Sequence, residues 1–210
     1  MSQIDRVDMD KLLKKSDVQK AISPMSSVGL VRIAYQPALC GVFNDPYCVA
    51  EPVNDFRFEI DQEARKQLPN IIDNKVQSVK GCASLDGPAR TQYERPRKIG
   101  IVFSGGPAPG GHNVIAGLYD AAKKANSQNR LFGFLVGPDG IIDGEYVELT
   151  DQLVDRYRNL GGFTMIKTGR TKIDSPQKMA LSKETILEMG LDALVVVGGD
   201  DSNTNAAFLA

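Results

Sequence analysis

The 210 residues suffice for one α/β domain with a sizeable core, or for one domain plus an extension. Lys+Arg 25 against Asp+Glu 26 leaves a formal charge of −1, which excludes a general electrostatic attraction to nucleic acid or to an anionic membrane. With 42% hydrophobic and 24% charged residues and no apolar run near the ~18 residues of a membrane span, the composition is that of a soluble globular protein.

The chain opens with Met1–Lys15, a polar segment carrying Asp5, Asp8 and Asp10, unlike a signal peptide. Up to residue 96 periodicity is weak and prolines recur at 24, 37, 46, 52, 69, 88 and 96. Val28–Tyr35 is expected to form a short strand and Gln62–Leu68 a helical turn or more. Residues 1–96 read as an N-terminal extension wrapped on a larger body. Cys40, Cys48 and Cys82 are an odd set without CxxC spacing, and His112 is the single histidine. A disulfide framework and structural zinc are therefore disfavoured; reduced thiols in the cytoplasm are expected.

From residue 97 the pattern sharpens. Lys98–Phe103 is an apolar run that ends in Ser104-Gly105-Gly106, a buried strand delivering a turn. A helix is expected from about His112 to Asn126, with Val114, Ile115, Leu118, Ala121, Ala122 and Ala125 inward. His112 at its start reads as a local helix-start residue rather than a catalytic one. Leu131–Val136 is a second strand, broken by Gly137-Pro138-Asp139-Gly140. Thr150 is the expected N-cap of a short helix that turns Leu153, Val154, Tyr157 and Leu160 inward and stops at Gly161. Ser182 is expected to cap another, with Ile186, Leu187 and Met189 inward and Gly190 as its stop. Leu194–Val197 is a third buried strand, ending in Gly198-Gly199-Asp200-Asp201. Apolar strands alternating with helices give the expected fold class: α/β, a partial doubly wound parallel sheet of Rossmann-like form. Ligands bind such sheets at the carboxyl ends of the strands.

Two of those ends carry double glycines. Ser104-Gly105-Gly106-Pro107-Ala108-Pro109-Gly110-Gly111 lets backbone approach a phosphate at a helix N-terminus. Gly111-His112 stands where a P-loop requires Lys-Ser/Thr, and the GxGxxG pattern is absent, so neither motif is met. Taken alone the loop is also explained as a tight strand-to-helix turn. Gly198-Gly199-Asp200-Asp201-Ser202-Asn203-Thr204 adds two carboxylates, suited to holding Mg²⁺, and hydroxyls that can cap a helix or meet an anion. Taken alone it is also explained as a capped turn with solvated aspartates. Between them Lys167-Thr168-Gly169-Arg170-Thr171-Lys172 offers three cations in six residues, of which Arg170 suits multidentate phosphate contact. By itself that run reads as a solvated basic loop.

In this order and spacing, Ser104–Gly110, Thr168–Thr171 and Gly198–Asn203 resemble the phosphofructokinase family. The Gly-Gly-Asp-Asp form, with Gly-Gly-His-Asn at 110–113, resembles its long pyrophosphate-dependent branch. The resemblance implies a Mg²⁺-dependent, reversible transfer of phosphate from pyrophosphate to fructose 6-phosphate in glycolysis, by a cytoplasmic homo-oligomer. It implies pyrophosphate contacts at Gly105, Gly106, Arg170, Asp201 and Ser202, and Asp200 as the metal-binding aspartate. It makes Asp201 a transition-state site and the position that separates donors, aspartate in pyrophosphate users and glycine in ATP users. A carboxylate about 4 Å from the α-phosphate of ATP repels it by roughly 4 kcal/mol at an effective dielectric of about 20. Residues 97–210 are then a donor-binding α/β domain. The family's Thr-Ile-Asp-Asn-Asp-type catalytic loop is not in this sequence, so no catalytic base is assigned, the chain is expected to be truncated, and alone it is expected not to turn over. An ATP-dependent phosphofructokinase and a non-catalytic phosphate-binding fragment are the alternatives; a lipid-kinase or NAD-kinase relative lacks the Gly-Gly-Pro-Ala-Pro-Gly turn. A free sheet edge in so short a chain also makes aggregation a competing expectation.

Overall fold

The computed structural model describes residues 27–56 and 59–210. Met1–Lys15 lies outside the described residues. The chain divides into two compact units, one holding the described residues 27–35 together with 96–209, the other holding 36–95 and Ala210.

In the smaller unit, β1 (Tyr47–Pro52) and β2 (Gln77–Cys82) form an antiparallel ladder registered from Tyr47↔Cys82 to Pro52↔Gln77. Helix α2 (Gln62–Gln67) starts on Asp61, whose carboxylate accepts the Ala64 N–H at 2.8 Å, as the sequence predicts for this stretch. Helix α3 (Gly87–Glu94) lays Tyr93 edge-on against Tyr47, centroids 5.1 Å apart. No described residue of 36–95 is fully buried.

In the larger unit the sheet order is β5-β4-β3-β6, from β3 (Lys98–Phe103), β4 (Arg130–Phe134), β5 (Tyr146–Leu149) and β6 (Ala193–Val197). β3 runs parallel to β4 (Ile99↔Leu131) and to β6 (Ile99↔Ala193), while β5 is antiparallel to β4 (Leu131↔Leu149). The sheet is thus mostly parallel with an antiparallel edge, a strand the sequence reading did not find. Four residues with only Val147 and Leu149 buried carry little periodic signal. Cross-strand Arg130–Glu148 hydrogen bonds at 2.9 and 2.6 Å keep that edge polar.

Alternate β3 side chains serve opposite faces. Ile101 and Phe103 pack with Ile115, Leu131, Val154 and Ile166 beneath α4 (Gly111–Ala125) and α6 (Asp151–Tyr157). Val102 packs with Phe134 and Ile141 beneath α5 (Pro138–Ile142) and α7 (Pro176–Met189). Helices on both faces make the doubly wound arrangement.

Several local expectations are corrected. Val28–Tyr35 is not a strand but part of helix α1 (Ser27–Ala34), continued by Tyr35 N–H donating to Val31 O at 3.0 Å. Leu30/Val31 and Ala34/Tyr35 repeat at helical spacing, and Asn159 Nδ2 caps the end by donating to Arg32 O and Tyr35 O. The inward face of α4 is His112, Ile115, Ala116, Tyr119 and Ala122, whereas Val114 is exposed. α6 has the expected cap, Thr150 Oγ1 accepting Leu153 N–H at 3.3 Å, but Leu160 falls beyond the helix and is exposed. Ser182 caps nothing: α7 begins at Ser175-Pro176, the favoured cap followed by the favoured first residue, and Ser182 is buried mid-helix. Leu187 faces solvent; Gly190 does terminate the helix. Neither Ser202 nor Thr204 caps the last helix, α8 (Asp200–Leu209), which starts upstream of both.

Candidate functional site

β3 and β6 end side by side, so the two glycine loops leave the sheet as neighbours. Ser104 N–H donates to Val197 O at 2.8 Å, and Ser202 Oγ, in the first turn of α8, lies 2.9 Å from Ser104 Oγ. Both serines are buried. The loops stand over this hydroxyl pair and enclose an open cleft of about 780 Å³, lined by Gly105, Gly106, Pro109, Gly199, Asp200 and Asp201 among others. Gly105 and Gly110 hold φ of 108° and 99°, the left-handed region that glycine enters without strain; this turns the loop back onto the start of α4. A second concavity, about 470 Å³, belongs to residues 53–76 and contains none of the predicted site residues.

The basic run 167–172 forms a strap across the first loop. Gly105 N–H donates to Gly169 O at 2.7 Å, Thr168 Oγ1 donates to Gly105 O at 2.9 Å, and Ser104 and Gly169 form a parallel bridge. Thr171 Oγ1 donates to Asp139 Oδ2 at 2.9 Å, so the Gly-Pro-Asp-Gly break after β4 anchors the strap from the other side. Arg170 is thereby brought over the loop, its Nη2 3.0 Å from where a β-carbon on Gly106 would stand. Lys172 Nζ pairs with Asp201 Oδ2 at 2.9 Å, and this contact holds the ammonium pKa above its ordinary value.

Gly105, Gly106, Arg170, Asp200, Asp201 and Ser202 therefore share one end of the sheet. Asp200 and Asp201 open α8, where the helix dipole favours carboxylates. Ser202 is 4% exposed with its hydroxyl engaged by Ser104, so what it offers the cleft is backbone. The Asp201 side chain is 77% exposed, so the dielectric around it is closer to water. At 4 Å the repulsion then falls to about 1 kcal/mol, about fivefold rather than a thousandfold. The sequence reading named the run 167–172 but singled out only Arg170 from it, and it missed the Lys172–Asp201 pair and the Thr168–Gly105 and Thr171–Asp139 contacts that build the site. The signal for Lys172 was its place in the basic run; nothing local marks Asp139 as a partner of Thr171.

His112 ties this region together. It is 2% exposed, its Nε2 accepts the Met165 N–H at 3.0 Å, and its backbone N–H donates to Gly162 O at 2.9 Å. The segment so held leads directly into the strap. Burial alone lowers the imidazole pKa below the ordinary 6.5. The unfolded chain therefore binds more protons between the two values. Stability should be full above about pH 6.5 and fall below it, by at most about 1.4 kcal/mol per pH unit within the window. His112→Gln, which keeps an acceptor without the titration, should flatten that slope in urea unfolding measured between pH 7.5 and 5.5; an unchanged slope would remove His112 as its source.

A family profile described as Phosphofructokinase matches residues 98–210, the segment that contains both loops and the strap. The chain belongs to the phosphofructokinase family. A pyrophosphate–fructose 6-phosphate 1-phosphotransferase of Porphyromonas gingivalis is 56% identical over 185 residues, 88% of this chain and 33% of its own length. One of the same name from Treponema pallidum is 55% identical over 126 residues, 60% of this chain and 22% of its own length. The subunit beta 2 of the Arabidopsis thaliana enzyme is 40% identical over 191 residues, 91% of this chain and 33% of its own length. This phosphofructokinase chain thus matches between about a fifth and a third of the length of these relatives. Among the described residues no helix is long and apolar enough to cross a membrane.

Proposed function

We propose that the protein to which this chain belongs transfers a phosphoryl group from pyrophosphate to the 1-hydroxyl of fructose 6-phosphate, reversibly, yielding fructose 1,6-bisphosphate and orthophosphate. The observation that carries the reading is the convergence of two glycine loops and the Asp200–Asp201 pair on one cleft at the carboxyl ends of β3 and β6, with the Arg170 guanidinium held against Gly106 of the first loop. The printed names of the relatives supply the substrates.

Phosphoryl transfer asks a protein chiefly to position groups and to stabilise charge spread over oxygens. Gly106 offers closely approachable backbone in the loop that leads into α4, while Gly105, whose N–H and carbonyl are engaged by the strap, shapes the turn beneath it. Ser202 offers the N–H that the first turn of α8 leaves open. Arg170 offers a planar cation for the oxygens of the transferred group. Asp201 occupies the space in which a third phosphoryl group of a nucleotide would lie.

Mg²⁺ fits the donor set as a guest of the substrate rather than as a resident of a cage. Among the described residues there is no cluster of three or more acidic, histidine or cysteine groups. Asp201 is already paired with Lys172, leaving Asp200 as the carboxylate to hold the ion. Magnesium commonly takes one or two carboxylates and completes its shell with phosphate oxygens and water. When bound it would neutralise charge on the phosphoryl oxygens. Assembly at least as a dimer, in the cytoplasm, is part of the same proposal; the relatives named as subunits motivate the oligomer.

The test is donor exchange in the full-length protein. Turnover of fructose 6-phosphate is expected with Mg·pyrophosphate and not with Mg·ATP, and Asp201→Gly is expected to admit ATP. Turnover with ATP alone in the unaltered protein would replace this reading with the ATP-dependent one. Binding without turnover of either donor would favour a non-catalytic phosphate-binding protein.

A further inference from the structure

We propose that Lys172 is the counter-charge that makes Asp201 compatible with pyrophosphate, so that the pair, rather than Asp201 alone, sets the choice of donor. The inference rests on the pyrophosphate-dependent reading above. It starts from a difficulty in that reading. Pyrophosphate is itself a multiply charged anion, and an unpaired carboxylate at the mouth of its cleft repels it as well as ATP. A selection device must reject the longer donor at contact without repelling every phosphate on approach.

The geometry meets both demands. Lys172 Nζ sits 2.9 Å from Asp201 Oδ2. The pair is neutral overall, so a donor a Debye length away meets no net charge from it. At contact, the side of the carboxylate turned from the lysine still confronts whatever occupies the adjoining space. The side chains are 55% and 77% exposed, which permits approach of a soluble donor.

The lysine is also held where the role requires. Its strap is pinned by Thr168 Oγ1 on Gly105 O, by Thr171 Oγ1 on Asp139 Oδ2, and by Lys178 Nζ on Lys172 O, each at 2.9 Å. Lys172 thus begins from fixed backbone, and Asp201 from the first turn of α8. Lys172 acts through Asp201 and need not touch the donor, which makes it a positioning and specificity residue rather than a catalytic one.

The test is suppression, in the full-length protein assayed for formation of fructose 1,6-bisphosphate. Lys172→Met should raise KM for pyrophosphate about fivefold by exposing the Asp201 charge, with KM for fructose 6-phosphate unmoved. Lys172→Arg should restore most of the loss. The decisive variant is Lys172→Met combined with Asp201→Asn, which keeps the side-chain volume and removes the charge. It should return the pyrophosphate KM close to the wild-type value, because the defect belongs to the unpaired carboxylate. A double variant as defective as Lys172→Met would overturn the proposal, since the lysine would then bind pyrophosphate directly. So would a single variant with wild-type KM, or one whose KM rises equally for both substrates. If the wild-type protein makes no product from pyrophosphate, the functional reading fails and this inference with it. If it does and suppression is absent, this inference alone fails.

Discussion

Gly198→Ala is expected to abolish measurable pyrophosphate binding and to lower stability by about 1–3 kcal/mol, the usual range for overpacking a fixed site. A methyl group there would lie 2.5 Å from the Ser104 carbonyl oxygen and 2.5 Å from Ser202 Cβ, and closer still to Ser202 Oγ. None of these neighbours is the far end of a flexible chain. Ser104 is fixed by its N–H on Val197 O, and Ser202 by the first turn of α8. Relief requires the two strand ends to separate, which breaks the buried Ser104–Ser202 hydroxyl contact and leaves polar groups unpaired at further cost. The two loops would then no longer share a cleft. Gly199→Ala is the control, because its added methyl meets nothing within 4 Å. Thermal unfolding together with titration by Mg·pyrophosphate distinguishes the two positions. An alanine at 198 that binds like wild type would show that the loops need not stay in register.

The division between what was and was not legible in the sequence has a physical basis. β3 and β6 are dominated by Ile, Val, Leu and Phe with glycines after them, a signal that parallel strands carry within six residues, though β6, expected to be buried, lies at the sheet edge with Leu194–Val197 only half-buried. Gly190 and Thr150 act as helix signals through local hydrogen bonding, so they too could be read. Ser182 misled because a serine favoured at a cap is equally acceptable where a small side chain is buried, and Ser175-Pro176 was the stronger start. Helix α1 was missed because Val28–Tyr35 has the composition of a strand, whereas its end is capped by Asn159, over a hundred residues away, and Arg32 donates to the neighbouring Arg158 carbonyl. The glycine loops marked the candidate site, and the place of Asp200 and Asp201 directly after Gly198-Gly199 put them in it. The strap was the illegible part. Seen alone it is a solvated basic loop, and its structure comes from Asp139, Gly105 and Asp201, none of them near it in sequence.

Arg158 and Arg170 separate stability from function. Arg158 is committed: its Nη1 and Nη2 donate to Asp120 at 2.6 and 2.9 Å and its Nε to Asp155 at 2.9 Å, contacts that raise its pKa further. Arg170 is exposed and makes no hydrogen bond or ion pair among the described residues, yet the strap presents its guanidinium to the face of Gly106. A cation held over a glycine loop without a protein partner is available to a bound anion. Arg170→Lys is therefore expected to lower kcat/KM with pyrophosphate by about 100- to 1000-fold, the effect of removing one well-aimed donor from a transition state. The lysine keeps the charge but loses the planar fork that can span two phosphoryl oxygens. Thermal stability should stay as in the wild type, because no contact within the protein is lost. Arg158→Met should show the reverse, a lower melting temperature with kcat/KM little changed in the fraction that remains folded. Gly106→Ala probes the same placement from beneath: its methyl would stand 3.0 Å from Arg170 Nη2, so the guanidinium must shift by a few tenths of an ångström. A smaller loss of kcat with stability intact is expected from that shift. Full activity in Arg170→Lys would mean that the strap serves only to brace the loop, and the transferred phosphoryl group would need its cation from outside this chain.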